Sequence, residues 1–137
     1  MRKFLSVLLA MAMVLSLTVT SFAADTAADA KAEMAGKTVI LHTNDVHGAV
    51  EGYAYIAQLK ADYEAKGAEV ILVDAGDFSQ GTTYVSSTKG ADAVTMMNAA
   101  GYDVVTLGNH EFDHGQAFLG RMIDSMDFEV VCANVVS

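Results

Sequence analysis

Short unbroken apolar runs and helically spaced apolar stripes take turns along the sequence from residue 37 onward. Lys37 to Leu41 is β-like, with Val39, Ile40 and Leu41 at its centre. Beyond Gly52, the residues Tyr55, Ile56, Leu59 and Tyr63 keep the spacing of one helix face, and Gly67 is a natural stop. Glu69 to Val73 reads as a buried strand, Phe78 to Thr82 as a loop and Ser86 to Gly90 as a polar turn. Ala93, Val94, Met97 and Ala100 share a second helix face that ends at Gly101. Asp103 to Leu107 is a third strand. Phe118, Leu119, Met122, Ile123 and Met126 form the cleanest helical stripe, and Phe128 to Val135 gives a fourth strand. This βαβαβαβ order predicts an α/β fold, a parallel sheet flanked by helices with right-handed crossovers.

The polar residues that interrupt this pattern are concentrated just after the strands. Asn44-Asp45-Val46-His47-Gly48 follows the first, Asp74-Ala75-Gly76-Asp77 the second and Gly108-Asn109-His110-Glu111-Phe112-Asp113 the third. Amides, imidazoles and carboxylates so grouped are expensive to bury without partners. They suit the carboxyl ends of parallel strands, where open α/β sheets place their ligand crevices. Asp45, Asp77 and Asn109 stand 32 residues apart, twice over, near the length of one βαβ step of roughly 30 residues. Parallel strands therefore bring all three to one sheet edge. Asp45 and His47 are two apart and point the same way if the backbone is extended, so together they can ligate one ion. Asp77 can join them and reach a second ion, to which Asn109 adds a neutral oxygen. Oxygen and nitrogen donors without thiolate suit zinc, manganese, iron or cobalt. Two such ions clamp a phosphoryl group and acidify water. His110 is then free for a phosphate oxygen or a leaving group, with Asp113 placed to hold its imidazole in the charged form.

Charge and composition narrow the partners. A formal charge of −9 over 137 residues argues against a nucleic-acid duplex or an anionic membrane surface. It leaves room for a phosphorylated small molecule, because bound cations reverse the local sign. The single cysteine, Cys132, permits no internal disulfide and reads as a buried structural thiol. Met1-Arg2-Lys3 followed by an uncharged run from Phe4 has the form of a secretory leader over residues 1–23, with Ser21-Phe22-Ala23 as the small-residue cleavage site. An uncleaved anchor is the rival, since the uncharged run reaches the roughly 20 residues that a membrane span needs. Cleavage leaves a chain without stable membrane insertion, placed outside the cytoplasm as a secreted, periplasmic or cell-surface protein. Residues 24–36 read as a linker and 37–137 as the folded part.

The three turns, with Leu41-His42-Thr43 leading into the first, resemble the first three motifs of the calcineurin-like metallophosphoesterases. They are most similar to the secreted bacterial 5′-nucleotidase branch, which includes UDP-sugar hydrolases and 2′,3′-cyclic phosphodiesterases. The resemblance implies a metallophosphatase-type α/β sandwich and two divalent ions. It implies Asp45, His47 and Asp77 on the first ion, Asp77 bridging, Asn109 on the second, and His110 with Asp113 as the catalytic dyad. His42, Glu111 and Asp74 are expected in supporting roles, and His114 in none. The family pattern continues with further histidine motifs and a nucleoside-holding domain. The chain is therefore expected to be an incomplete, amino-terminal part of a phosphoester hydrolase, weak or inactive alone. Its last strand and apolar helix faces should be open to self-association. The alternative is a non-catalytic exported remnant that binds metal or serves as an interaction module.

Overall fold

The computed structural model describes residues 33–135. Four parallel strands, β1 (Thr38–Thr43), β2 (Glu69–Asp74), β3 (Val104–Val105) and β4 (Glu129–Val130), lie side by side in chain order. Helices α1 (Glu51–Ala65), α2 (Thr83–Ser87), α3 (Ala91–Ala100) and α4 (Gln116–Ile123) fill the connections, so the predicted alternation is the one observed. Each strand joins the same growing edge, so right-handed crossovers carry the helices to one face. Burial agrees. Val39, Leu41 and Thr43 are shielded along β1, whereas Thr38, Ile40 and His42 are exposed. The register sets Leu41 beside fully buried Leu72, and Thr43 beside buried Asp74. Between sheet and helices lies one core of Leu72, Phe78, Val85, Val94, Met97 and Val105, closed at its margin by Tyr53, Tyr102 and Phe128.

Several predicted boundaries move. The third and fourth strands, expected over 103–107 and 128–135, are ladder-paired only at two residues each. At the start of β3 the Asp103 carboxylate accepts the Leu72 N–H at 2.7 Å, standing in for a ladder carbonyl. Beyond Val105 the backbone departs into the third turn, and β4 loses β3, its one neighbour among the described strands. The segment read as loop and turn between Phe78 and Gly90 contains the short helix α2, whose Val85 is fully buried. On α1 the buried residue is Tyr53, and the predicted face residue Tyr55 is 79% exposed. The packed side runs through Tyr53, Ile56, Ala57 and Lys60, whose ammonium reaches the Gly101 carbonyl and, at 3.0 Å, Asp103. Cys132 is half-buried. The expected open surfaces exist, at Tyr55 and Leu59 on α1, but the sheet contributes too, with Ile40 65% exposed.

The leader expected over 1–23 lies outside the described residues, as does most of the 24–36 linker. Residues 33–36 form a turn docked on the end of α1, where the Met34 N–H meets the Lys66 carbonyl at 2.9 Å. Among the described residues no helix is long and apolar enough to cross a membrane.

A polar network is built into the end of β1 and β2. The Thr43 hydroxyl donates to the Asp74 carboxylate and meets the Tyr102 hydroxyl at 2.7 Å, and the other Asp74 oxygen accepts the Gly76 N–H at 2.8 Å. Burial pushes the Asp74 carboxyl up to about 6, against the pull of those two hydrogen bonds. A carboxyl raised in the folded state keeps its proton where the unfolded chain has lost it. Its stabilising contribution is therefore full below pH 4 and lost as pH rises to about 6. That difference amounts to about 2–3 kcal/mol. Asp74→Asn keeps the shape and an acceptor for Gly76, so the stability gap between wild type and variant should narrow or reverse between pH 4 and 7. Urea midpoints across that range check it, and parallel pH profiles would refute it.

Candidate metal centre

Backbone hydrogen bonds staple the turn after β1 to the turn after β2. The Ala75 N–H donates to Thr43 O, the Asp45 N–H to Gly76 O and the His47 N–H to Asp77 O, all at 2.9–3.1 Å. The Thr82 N–H returns to His47 O at 3.2 Å, and its hydroxyl donates to Gly48 O at 3.0 Å. These bonds carry the ladder past the ends of β1 and β2, and they set the two turns edge to edge.

The stapled turns bring Asp45, His47 and Asp77 together. One ligand atom from each lies within 4.8 Å of the others, and the His47 Nε2 stands 3.8 Å from the Asp45 carboxylate. The expectation that Asp45 and His47 converge through extended backbone is corrected. Both are left-handed, with φ of 50° and 46°, and Asp77 has φ of 60°. Period-two alternation does not apply to such residues; the curl of the loop aims both side chains inward. Left-handed conformation costs a residue with a Cβ about 1–2 kcal/mol. Among the described residues four non-glycines adopt positive φ, and three of them are this triad. Two carboxylates and an imidazole at this separation, without a neighbouring lysine or arginine bound to them among the described salt bridges, form a donor set that fits a divalent cation.

The third turn packs against the second. It contains a single 3₁₀ turn, His110–Phe112, which the apolar pattern does not predict, with Asn109 as its exposed N-cap. The His110 N–H donates to Asp77 Oδ1 at 2.9 Å, and the His110 ring meets the His47 ring edge-on at a centroid separation of 5.2 Å. His110 Nδ1 is 2.8 Å from Asp113 Oδ2. That hydrogen bond raises the imidazole above its ordinary pKa, and the charges of Asp113, Asp77 and Glu111 add to it against a desolvation effect. With Nδ1 engaged, Nε2 is the ring atom left for a ligand. His42 is exposed on β1, on the sheet face opposite Thr43, and exposed His114 stacks edge-on against Phe118 at 5.4 Å. Neither belongs to the triad.

Glu111 is the residue whose importance the sequence understated. It is 2% exposed, although it sits between the imidazole of His110 and the exposed ring of Phe112, and it accepts hydrogen bonds from both the second and the third turn. A glutamate after an Asn-His pair at a strand end gives no sequence signal that separates a solvated acid from a buried acceptor.

Fold and site together define an α/β scaffold with a parallel sheet and a candidate metal-ligand triad at its rim. The calcineurin-like phosphoesterase family model matches residues 38–133, and the chain belongs to that family. It is 40% identical over 113 residues to a snake venom 5′-nucleotidase of Gloydius brevicauda, covering 70% of this chain and 19% of that protein. It is 35% identical over 114 residues to a 5′-nucleotidase of Bos taurus, covering 70% of this chain and 20% of that protein. The structure of the Haemophilus influenzae NAD nucleotidase superposes with a TM-score of 0.61 at 28% identity, over 71% of this chain and 20% of the other. The chain thus spans about a fifth of the length of the relatives it matches.

Proposed function

We propose that this chain carries the first half of a dinuclear metal site for phosphoester hydrolysis, of 5′-nucleotidase type. The observation that supports it most is the coincidence of three strained left-handed residues with the three clustered ligand candidates, Asp45, His47 and Asp77. Strain of this kind persists where surrounding structure over-determines it, and it gathers at functional sites. Divalent ions at such a site supply charge for a phosphoryl group and acidify water. Asp45, His47 and Asp77 would hold the first ion. Asp77 and Asn109 are the donors offered to the second. His110, held by Asp113 and carrying a raised pKa, would present Nε2–H to a phosphoryl oxygen or to the leaving oxygen. A phosphorylated small molecule such as a nucleotide is the substrate class, on the strength of the relatives' names. Export through the 1–23 leader belongs to the same reading.

Equilibrium dialysis of the chain against cobalt or manganese, with hydrolysis of a chromogenic phosphate monoester measured in parallel, tests the proposal. We expect saturable binding of one ion per chain and hydrolysis near the buffer background, because two oxygen donors hold a second ion weakly. Absence of saturable binding at millimolar metal would sink the metal reading. Metal-dependent turnover lost on His110→Ala would show that this chain completes the site unaided. One bound ion without turnover is also what the non-catalytic reading expects. Fusing this chain to the later part of a matched 5′-nucleotidase, which the chain does not span, separates the two, since only the hydrolase reading then predicts activity.

A further inference from the structure

Glu111 is the most deeply buried carboxylate at the rim of the sheet, and among the described residues no salt bridge involves it. Its partners are four backbone amides. Oε1 accepts from Phe78 and Ser79, each at 3.1 Å, and Oε2 accepts from Asp77 at 2.9 Å and Gly108 at 2.7 Å. Three of these are consecutive amides at and after left-handed Asp77, a concavity of N–H groups that suits an anion. The fourth belongs to the third turn. One side chain therefore ties the Asp77 backbone to the turn that carries Asn109 and His110.

We infer that Glu111 is the positioning residue of the cation site, an internal anion that holds Asp77 in its ligating conformation. The inference rests on the reading that Asp45, His47 and Asp77 bind a cation. Without this acceptor the amides of residues 77–79 would converge on one another, and Asp77 would relax toward ordinary backbone angles. Its carboxylate would then swing away from His47, although Glu111 itself touches no ligand atom. Glutamine is a sharp probe because it keeps the volume but turns one oxygen into a donor. Two of the four amides would then face an N–H instead of an acceptor.

The experiment compares the full chain with Glu111→Gln and Glu111→Asp by cobalt absorption titration, and by amide exchange followed residue by residue. In the wild type the amides of Asp77, Phe78, Ser79 and Gly108 should be protected with or without cobalt. In Glu111→Gln these four should exchange about tenfold faster or more while the β1 and β2 amides stay protected. Cobalt affinity should fall by about 10–100-fold, the range for groups that orient metal ligands. Glu111→Asp keeps the charge and should fall between the two. Unchanged cobalt affinity in a variant whose four amides have been released overturns the inference. If Glu111→Gln fails to fold, Glu111→Asp decides: weakened cobalt binding with the sheet still protected supports positioning, and simultaneous loss of sheet protection makes Glu111 a residue of the fold alone. Failure of the wild type to bind cobalt is a different result and removes the cation reading beneath it.

Discussion

Gly76→Ala should lower the stability of this protein by about 3 kcal/mol, more than any conservative change on its surface. Gly76 has φ of +99°, a conformation that strains any residue with a Cβ, by about 1–2 kcal/mol. Strain is the smaller part. A methyl group there would collide with the Gly108 amide nitrogen and lie 2.8 Å from the Gly108 Cα, so the second and third turns could not close. Forcing a methyl into a packed site adds about 1–3 kcal/mol. Gly36→Ala is the control, because Gly36 also has positive φ, +74°, with nothing within 4 Å of the added carbon. Urea unfolding should show the Gly36 variant losing only the strain. Equal losses at the two positions would mean that the contact between the turns is looser than the structure shows. Gly76→Ala should also weaken cation binding, since the same contact places Asp77 beside the third turn.

The second large effect is expected at Asp77, with opposite signs for binding and for stability. Asp77→Asn should weaken cobalt or manganese binding by about 100-fold or more, because a ligand is lost and not merely its support. The metal-free variant should be no less stable than the wild type. The introduced carboxamide would keep an oxygen to accept the His110 N–H, now accepted by Asp77 Oδ1, and the change removes one of two carboxylates gathered in the same cluster. Calorimetric or spectroscopic titration, paired with thermal unfolding in chelator, reads both. A variant that loses binding and stability together would assign Asp77 to the fold. Retained binding would move the cation elsewhere.

Much of the architecture was legible because it is written in periodicity. Short runs rich in Val, Ile and Leu mark the strands, and the stripe at Leu119 and Met122 marks α4, both residues being buried as expected. The reading failed where hydrophobicity and burial part company. Tyr53, not Tyr55, enters the core, because the packed side of α1 includes Lys60. The aliphatic stem of a lysine can line an interface while its ammonium reaches outward for a carbonyl. The shortness of β3 and β4 was not legible either, since an apolar run shows that a segment is buried but not how far its neighbours stay alongside.

The chemistry divides along the same line. That Asp45, His47 and Asp77 belong together followed from the sequence alone, because equal spacing after parallel strands delivers side chains to one edge and the motifs match those of the phosphoesterases. How they come together was decided by tertiary structure. The left-handed turns, the staples between Asp45 and Gly76 and between His47 and Asp77, and the burial of Glu111 all depend on backbone amides meeting across segments some thirty residues apart. Every residue of this proline-free chain carries the same amide. A sequence therefore shows which side chains are available to a metal, and only the folded backbone shows what holds them in place.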